Sequence, residues 1–224
     1  MALVITLVLE AATYAGSVAL VSEGRVLAER SVAMRGREHE ALMPAVAEVL
    51  AEASIPLGQV DRVVCGAGPG SFTSLRIAGG IAKGLALAGG VPLVPVSSLA
   101  LLVASRTELR AGRYLGAIDA LRGEHYVSLV EVNDTGEIRA DATFSLVPTP
   151  ELSEFAARVG AELVVAGGSP GAGAAPHARA AARLTKLIDA TPAADLAAWE
   201  PAYGRLAEAQ VKWEAAHGRP LASA

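Results

Sequence analysis

The sequence predicts an α/β protein built from a duplicated unit, two lobes that each hold a mixed sheet with flanking helices. Three observations carry that expectation. Of the 224 residues, 52% are apolar and 19% charged, the balance of a globular chain with ample core rather than of a disordered one. An apolar run from Arg62 to Cys65 meets a glycine-rich turn that opens a helical pattern reaching about Ala88. The succession strand, hairpin, helix and strand then occurs a second time further along. The join is expected near Thr107 to Gly112, dividing a first lobe, 1–106, from a second, 107–224.

In chain order, Leu3 to Leu9 reads as a buried strand, and Ser17 to Val21 with Arg25 to Val32 as a hairpin across Glu23-Gly24. A helix is expected from about His39 to Ala53, with Leu42, Val46, Val49 and Leu50 on one face. After the strand, turn and long helix come a short strand, Pro92 to Val96, and a helix running to about Arg106 that Ser97 or Ser98 could cap. In the second half, Tyr114 to Asp119 is a strand, and Glu124 to Val132 pairs with Glu137 to Thr143 across Asn133-Asp134-Thr135-Gly136. Pro150 starts a helix to Val159, Leu163 to Ala166 is a strand, and Gly168 to Arg179 is a Gly/Ala/Pro-rich loop. Leu206 to Ala216 has the pattern of an amphipathic helix carrying Trp213.

Composition narrows the function classes. Lysine and arginine number 19 against 23 acidic residues, a net charge of −4, which argues against a free-standing nucleic-acid binder. The single cysteine, Cys65, excludes an internal disulfide framework and a multi-thiolate metal site and suits a reducing, cytoplasmic setting. Gly84 to Ser105 carries no charge, but Gly89-Gly90, Pro92 and Pro95 interrupt it, so no membrane span is expected.

The glycine-rich turn, Gly66-Ala67-Gly68-Pro69-Gly70-Ser71, fails each phosphate-loop pattern. Walker A ends in Gly-Lys-Ser/Thr, whereas Gly70 is followed by Ser71 and Phe72. The dinucleotide fingerprint starts correctly at Gly66 and Gly68 but has Ser71 in place of its third glycine. A nucleophile elbow would need glycine at 73, where Thr73 stands. The residues favour a structural turn over an anion site, with Ser71 or Thr73 as a helix cap. The helix that follows carries Gly80, Gly84 and Ala88 four apart on one face and Ile77, Ile81 and Leu85 on an adjacent stripe. A small-residue face of this kind either packs inside the lobe or lets a second helix approach closely.

Several motifs in the same order resemble those of the bacterial TsaB family. Gly-Pro-Gly-Ser-Phe-Thr-x-Leu-Arg-Ile spans Gly68 to Ile77 and is followed by Ala82-Lys83-Gly84-Leu85-Ala86. Arg37-Glu38-His39 with Leu42-Met43-Pro44, then Ala117-Ile118-Asp119-Ala120 with Arg122-Gly123-Glu124 and Tyr126, and finally Pro201-Ala202-Tyr203-Gly204-Arg205 continue the likeness. The resemblance implies an actin-like ATPase fold, shared with heat-shock chaperones, and a non-catalytic scaffold subunit of the system that makes threonylcarbamoyladenosine in tRNA. Its implied partners are TsaD, as a heterodimer, and the ATPase TsaE, with a separate enzyme supplying threonylcarbamoyl-AMP. It also implies a homodimer when the chain is alone, tRNA contact only through the complex, and no cofactor. The implied partner surface is the first lobe's helices: His39, Leu42, Met43, Val46 and Leu50 on one, and Thr73, Arg76, Ile77, Gly80, Ile81, Gly84 and Ala88 on the other.

The chain departs from its resemblance in places that bear on chemistry. Active members of the fold carry an acid at the end of the first strand that serves nucleotide and metal. Here that segment is Leu9-Glu10-Ala11-Ala12-Thr13 in place of the family's Asp-Thr. A residual nucleotide site would draw on Glu10, Thr13, Gly68, Gly70 and Ser71, but Glu10 is expected to cap a turn and Thr13 to keep a polar contact. Ser74 stands where the family commonly has glycine. The catalytic relative TsaD is expected to bind metal through two histidines a helical turn apart. The partner position of His39 holds Met43, a poor substitute, so no metal site is expected. An active phosphotransferase or ATPase is the rival reading and a peptidase a second, although no His-Glu-x-x-His occurs. A Ser71, His39, Asp119 triad is disfavoured because a serine just past a turn is more often a cap. Asp119 and Glu124 are expected in turn chemistry and an ion pair with Arg122.

Overall fold

A computed structural model describes residues 3–35, 40–141, 143–167, 174–204 and 217. The first sheet contains β1 (Ile5–Glu10), β2 (Ala15–Ser22), β3 (Arg25–Ala33), β4 (Arg62–Gly66) and β5 (Leu93–Val96), in the order β3-β2-β1-β4-β5. β1, β4 and β5 run parallel, while β2 and β3 are antiparallel additions folded back across Glu23-Gly24. The second sheet repeats the scheme with β6 (Gly112–Asp119), β7 (Glu124–Val132), β8 (Ile138–Ala140), β9 (Ser145–Pro148) and β10 (Glu162–Val165). Its order is β10-β6-β7-β8 with β9 also on β7, and β10 lies parallel to β6 as β4 does to β1. This is the duplicated actin-like architecture the motifs imply.

Helices fill the layers. α1 (Leu42–Glu52) and α2 (Phe72–Gly89) cover one face of the first sheet, and α4 (Leu152–Arg158) covers the outer face of the second. Between the sheets lies α3 (Ser98–Ala104), every residue of it buried, beside a 3-10 turn at Ala178–Arg183 and near α5 (Thr185–Ala190). The alternation of a strand decides which layer each side chain joins. Leu7 and Leu9 of β1, with Val63 and Cys65 of β4, pack under α1 and α2, whereas Val8 and Val64 point inward to the α3 layer.

Several local expectations need correction. Of the strand expected over Glu137 to Thr143 only β8, Ile138–Ala140, forms, and a further strand, β9, follows at Ser145–Pro148 on the same partner, β7. The alanine-rich run after 177 forms a buried 3-10 turn with Ala178 and Ala181 fully covered, because small side chains fit the gap between sheets. The segment from Ala194 to Ala202, expected in the second lobe, lies against elements of the first, while Tyr203 O accepts from Tyr126 of β7. Ala194 N donates to Leu93 O at 2.8 Å, and a Cβ on Gly79 of α2 would stand 3.1 Å from Pro201. Ser97 and Ser71 occupy the N-cap positions of α3 and α2 without a side-chain cap bond. Instead Ser71 Oγ lies 3.0 Å from Ser74 Oγ. The helix expected over Leu206 to Ala216 falls outside the described residues.

Candidate functional site

The end of β1 points Glu10 into the inner layer, two residues beyond Val8, and the side chain is fully buried. The expected turn contact is present, to Ala12 N, and burial with a second bond to Ser98 is added to it. One carboxylate oxygen accepts from Ala12 N at 2.5 Å and the other from Ser98 Oγ at 2.9 Å, while Ser98 Oγ itself accepts from Gly68 N at 3.1 Å. Gly66 leaves the room: a Cβ there would collide with the Glu10 carboxylate. Burial pushes the Glu10 pKa up to about 7, opposed by the hydrogen bonds from Ala12, Ser98 and Ala11. Thr13 is apart from this network, its Oγ1 3.2 Å from Ala15 O within a local turn.

The glycine turn is closed by its own protein. Ala67 N donates to Val96 O at 2.8 Å and Ser71 N to Ala12 O at 2.7 Å, so with Gly68 N three of its amides are already satisfied. A Cβ on Gly70 would strike Ala12 O, and one on Gly68, where φ is +82°, would meet Ala202 O at 2.5 Å. The residue Ala202 in turn donates from its own N to Ala67 O at 2.7 Å. Anion-binding turns present free N–H groups to their ligand. These residues fit a nucleotide poorly: three of the turn's amides are spent, and Glu10, the acid at the end of the first strand, is fully buried and engaged with Ala12 N and Ser98 Oγ.

Among the described residues, parts of the outer faces of α1 and α2 are exposed. Gly80 and Gly84 are exposed, and a Cβ built on either meets no atom within 4 Å. The stripe Thr73, Ile77, Gly80, Gly84 and Leu87 steps by four and three residues alternately, the spacing that suits a second helix packed nearly parallel. Thr73, Arg76 and Ala88 are exposed, Ile77 and Ile81 half-buried, and Leu87 is 75% exposed. Leu87 was not foreseen, though its place three residues beyond Gly84 marks it. On α1 the corresponding stripe is Met43, Ala47 and Leu50, with Met43 44% exposed and Leu50 half-buried against the core. Leu42 and Val46, expected on the partner surface, are 0% and 1% exposed and belong to the core beneath the helix. The reason is periodicity: a helix with Leu42, Ala45, Val46 and Val49 inward must turn Met43 and Ala47 outward. His39 lies outside the described residues, and Glu40 supplies the start of α1, accepting from Met43 N at 3.0 Å and from Leu42 N.

Other candidates disperse. Asp119 Oδ1 accepts from Leu121 N at 2.7 Å, the turn chemistry expected of it. His177 Nδ1 accepts from Arg179 N at 3.1 Å, which places its proton on Nε2, 3.0 Å from Ser31 Oγ. That polarity makes it a donor to the hydroxyl, the reverse of a general base. Burial lowers its pKa despite the nearby Glu29. Cys65 is buried, and desolvation raises its thiol pKa further, so it stays protonated. Among the described residues no helix is long and apolar enough to cross a membrane.

Comparison with known proteins agrees with the motifs. A family model described as "TsaD: tRNA N6-adenosine threonylcarbamoyltransferase" matches residues 32–157. The tRNA threonylcarbamoyladenosine biosynthesis protein TsaB of Escherichia coli K12 is 33% identical over 163 residues, covering 72% of this chain and 70% of that protein. The Haemophilus influenzae protein of the same name is 38% identical over 125 residues, 55% of this chain and 52% of its own length. That of Bacillus subtilis is 27% identical over 228 residues and is covered over 96% of its length. A crystal structure from Pseudomonas aeruginosa, described as an uncharacterized protein similar to peptidase YeaZ, superposes with a TM-score of 0.75 at 31% identity. It covers 90% of this chain and 100% of that one. A structure titled YeaZ from the same organism gives 0.67 at 30% identity, covering 84% and 92%. The chain belongs to the TsaB family.

Proposed function

We propose that this chain is a non-catalytic scaffold subunit in the synthesis of tRNA threonylcarbamoyladenosine, binding and activating TsaD through the open faces of α1 and α2. The observation that carries the reading is the contrast between two sites. Three amides of the glycine turn are spent on internal bonds beside a buried Glu10, while among the described residues nothing comes within 4 Å of a Cβ at Gly80 or Gly84, and Met43 and Leu87 are exposed. Two helices with small residues at a four-three spacing accept the equivalent pair of another actin-like lobe, backbone close to backbone. Without TsaD the same face would join two copies of this chain. TsaE binds the assembled pair, tRNA is met through the complex, and the site of action is the cytoplasm.

The test is to mix the purified chain with TsaD of the same organism and follow mass by light scattering, for wild type and Gly84→Leu. A stable heterodimer that the substitution abolishes supports the reading. No association in any nucleotide condition, together with ATP turnover by the chain alone, would replace it with the phosphotransferase reading.

A further inference from the structure

His177 stands where the two lobes meet, and its ring nitrogen Nδ1 faces two partners that it cannot serve together. The residue caps the buried 3-10 turn Ala178–Arg183. Its backbone is fixed from both lobes' elements: His177 N donates to Ser105 Oγ at 3.1 Å, just past α3, and Ala178 N donates to Ser17 Oγ of β2 at 2.9 Å. The ring reaches β3, with Nε2 3.0 Å from Ser31 Oγ. Nδ1 accepts from Arg179 N at 3.1 Å and so closes the first turn. Glu29 Oε2 of β3 lies 4.0 Å from the same nitrogen. That oxygen is buried, and among the described residues no hydrogen bond reaches it, although Arg179 Nη1 holds the carboxylate's other oxygen at 3.3 Å.

An unprotonated imidazole nitrogen accepts a hydrogen bond, and the same nitrogen protonated donates one. The lone pair of Nδ1 suits the Arg179 amide and leaves Glu29 Oε2 without a partner. A proton on Nδ1 suits Glu29 Oε2 and breaks the bond to the amide. A buried polar atom without a partner is costly, so each state satisfies one group at the expense of the other. The charged groups around the ring are Glu29 of β3, which favours its protonation, and Arg179 of the turn, which together with burial opposes it. The polar groups brought to the residue by β2, β3 and the end of α3 are the neutral hydroxyls of Ser17, Ser31 and Ser105. With its side chain 17% exposed, the ring can take a proton from solvent.

We propose that His177 is a proton-operated latch at the seam between the lobes: on protonation Nδ1 gives up the Arg179 amide and donates to Glu29 Oε2, which releases the cap of the 3-10 turn. Nε2–H stays on Ser31 Oγ in both states, so the ring pivots about that contact. The turn packs against β2, β3 and α3, and the loss of its cap loosens the first residues of the turn between the sheets. The latch does not depend on what docks on α1 and α2.

The experiment is nuclear magnetic resonance of ring nitrogens and backbone amides on the full-length chain, for wild type, Glu29→Gln and His177→Asn, between about pH 8 and pH 5. In wild type the Nδ1 signal of His177 should move from that of an acceptor to that of a protonated nitrogen. Over the same titration, hydrogen exchange at the Arg179 amide, corrected for its intrinsic pH dependence, should quicken about fivefold. Glu29→Gln should lower the midpoint of the His177 titration. Asparagine caps through an oxygen that takes up no proton, so His177→Asn should hold the exchange at Arg179 constant across the range. If Arg179 exchanges at the same rate whether or not the ring is protonated, the amide is not displaced and the latch is refuted. If His177 in Glu29→Gln titrates as in wild type, Glu29 does not receive the proton, and the latch is refuted equally. These two titrations decide the matter even where His177→Asn fails to fold.

Discussion

Glu10 Oε2 accepts a hydrogen bond from Ser98 Oγ at 2.9 Å, tying the end of β1 to the first turn of the fully buried helix between the sheets. The contact adds a long-range bond to the turn-capping role expected of this acid, and its burial has a measurable cost. With a folded-state pKa pushed up to about 7 from 4.5, folding takes up a proton between those values. The stabilising contribution of the protonated acid is full below pH 4.5 and is lost as pH rises through about 7. Glu10→Gln keeps an acceptor for Ala12 N and a partner for Ser98 but removes the charge. Urea unfolding at pH 8 should find the variant more stable, by on the order of 3 kcal/mol. A variant that is less stable at pH 8 would show that the ionised form is stabilised by something the network does not contain.

His177 should give a slope of opposite sign. Burial lowers its folded pKa below 6.5, so the neutral ring that accepts from Arg179 N is favoured above that value, and stability falls as pH drops through it toward the folded pKa. In the Glu10→Gln background this slope is no longer masked. Stability measured between pH 7 and pH 5 should then fall on acidification, and His177→Gln should flatten the curve. A curve unchanged by His177→Gln would refute the assignment.

Neighbouring residues on α1 should behave in opposite ways. Leu42→Ala removes a side chain that is 0% exposed and should cost about 2–5 kcal/mol of stability. Met43→Ala, at a site 44% exposed, should cost less than about 1 kcal/mol yet weaken association with TsaD. Thermal unfolding paired with a binding titration separates the two. An equal loss of stability at both positions would mean that the helix is rotated from the face described.

Gly84→Leu should stabilise the isolated chain. Among the described residues no atom lies within 4 Å of a Cβ there, and replacing a helical glycine by leucine gains about 0.8 kcal/mol in propensity. A rise in melting temperature accompanied by lost association would mark Gly84 as kept small for a partner. A fall would place the residue inside the fold.

Most strands were legible because alternation and turn residues speak locally. The duplicated order was visible for the same reason, and so was α2, whose long pattern ends at a left-handed Gly90. What the sequence withheld is set by neighbours distant in the chain. Nothing near Glu10 tells that Ser98 and Gly66 will enclose it, since the three meet only when β1, β4 and α3 converge. A family resemblance names the helix that meets a partner but not its phase, which the buried set Leu42, Ala45, Val46 and Val49 fixes with Leu42 and Val46 inward. The segment from Ala194 to Ala202 carries no periodic pattern to say which lobe it joins, and its contacts with Leu93, Ala67 and Gly79 decide it.

The most direct test of the central claim is threonylcarbamoyl transfer to tRNA by a system reconstituted from TsaD, TsaE and this chain, supplied with threonylcarbamoyl-AMP. If the chain works through its helical face and not through its glycine turn, Glu10→Gln should support modification at the wild-type rate while Gly84→Leu should not. Loss of modification with Glu10→Gln, in a chain that still folds and still binds TsaD, would contradict the account and return chemistry to the turn.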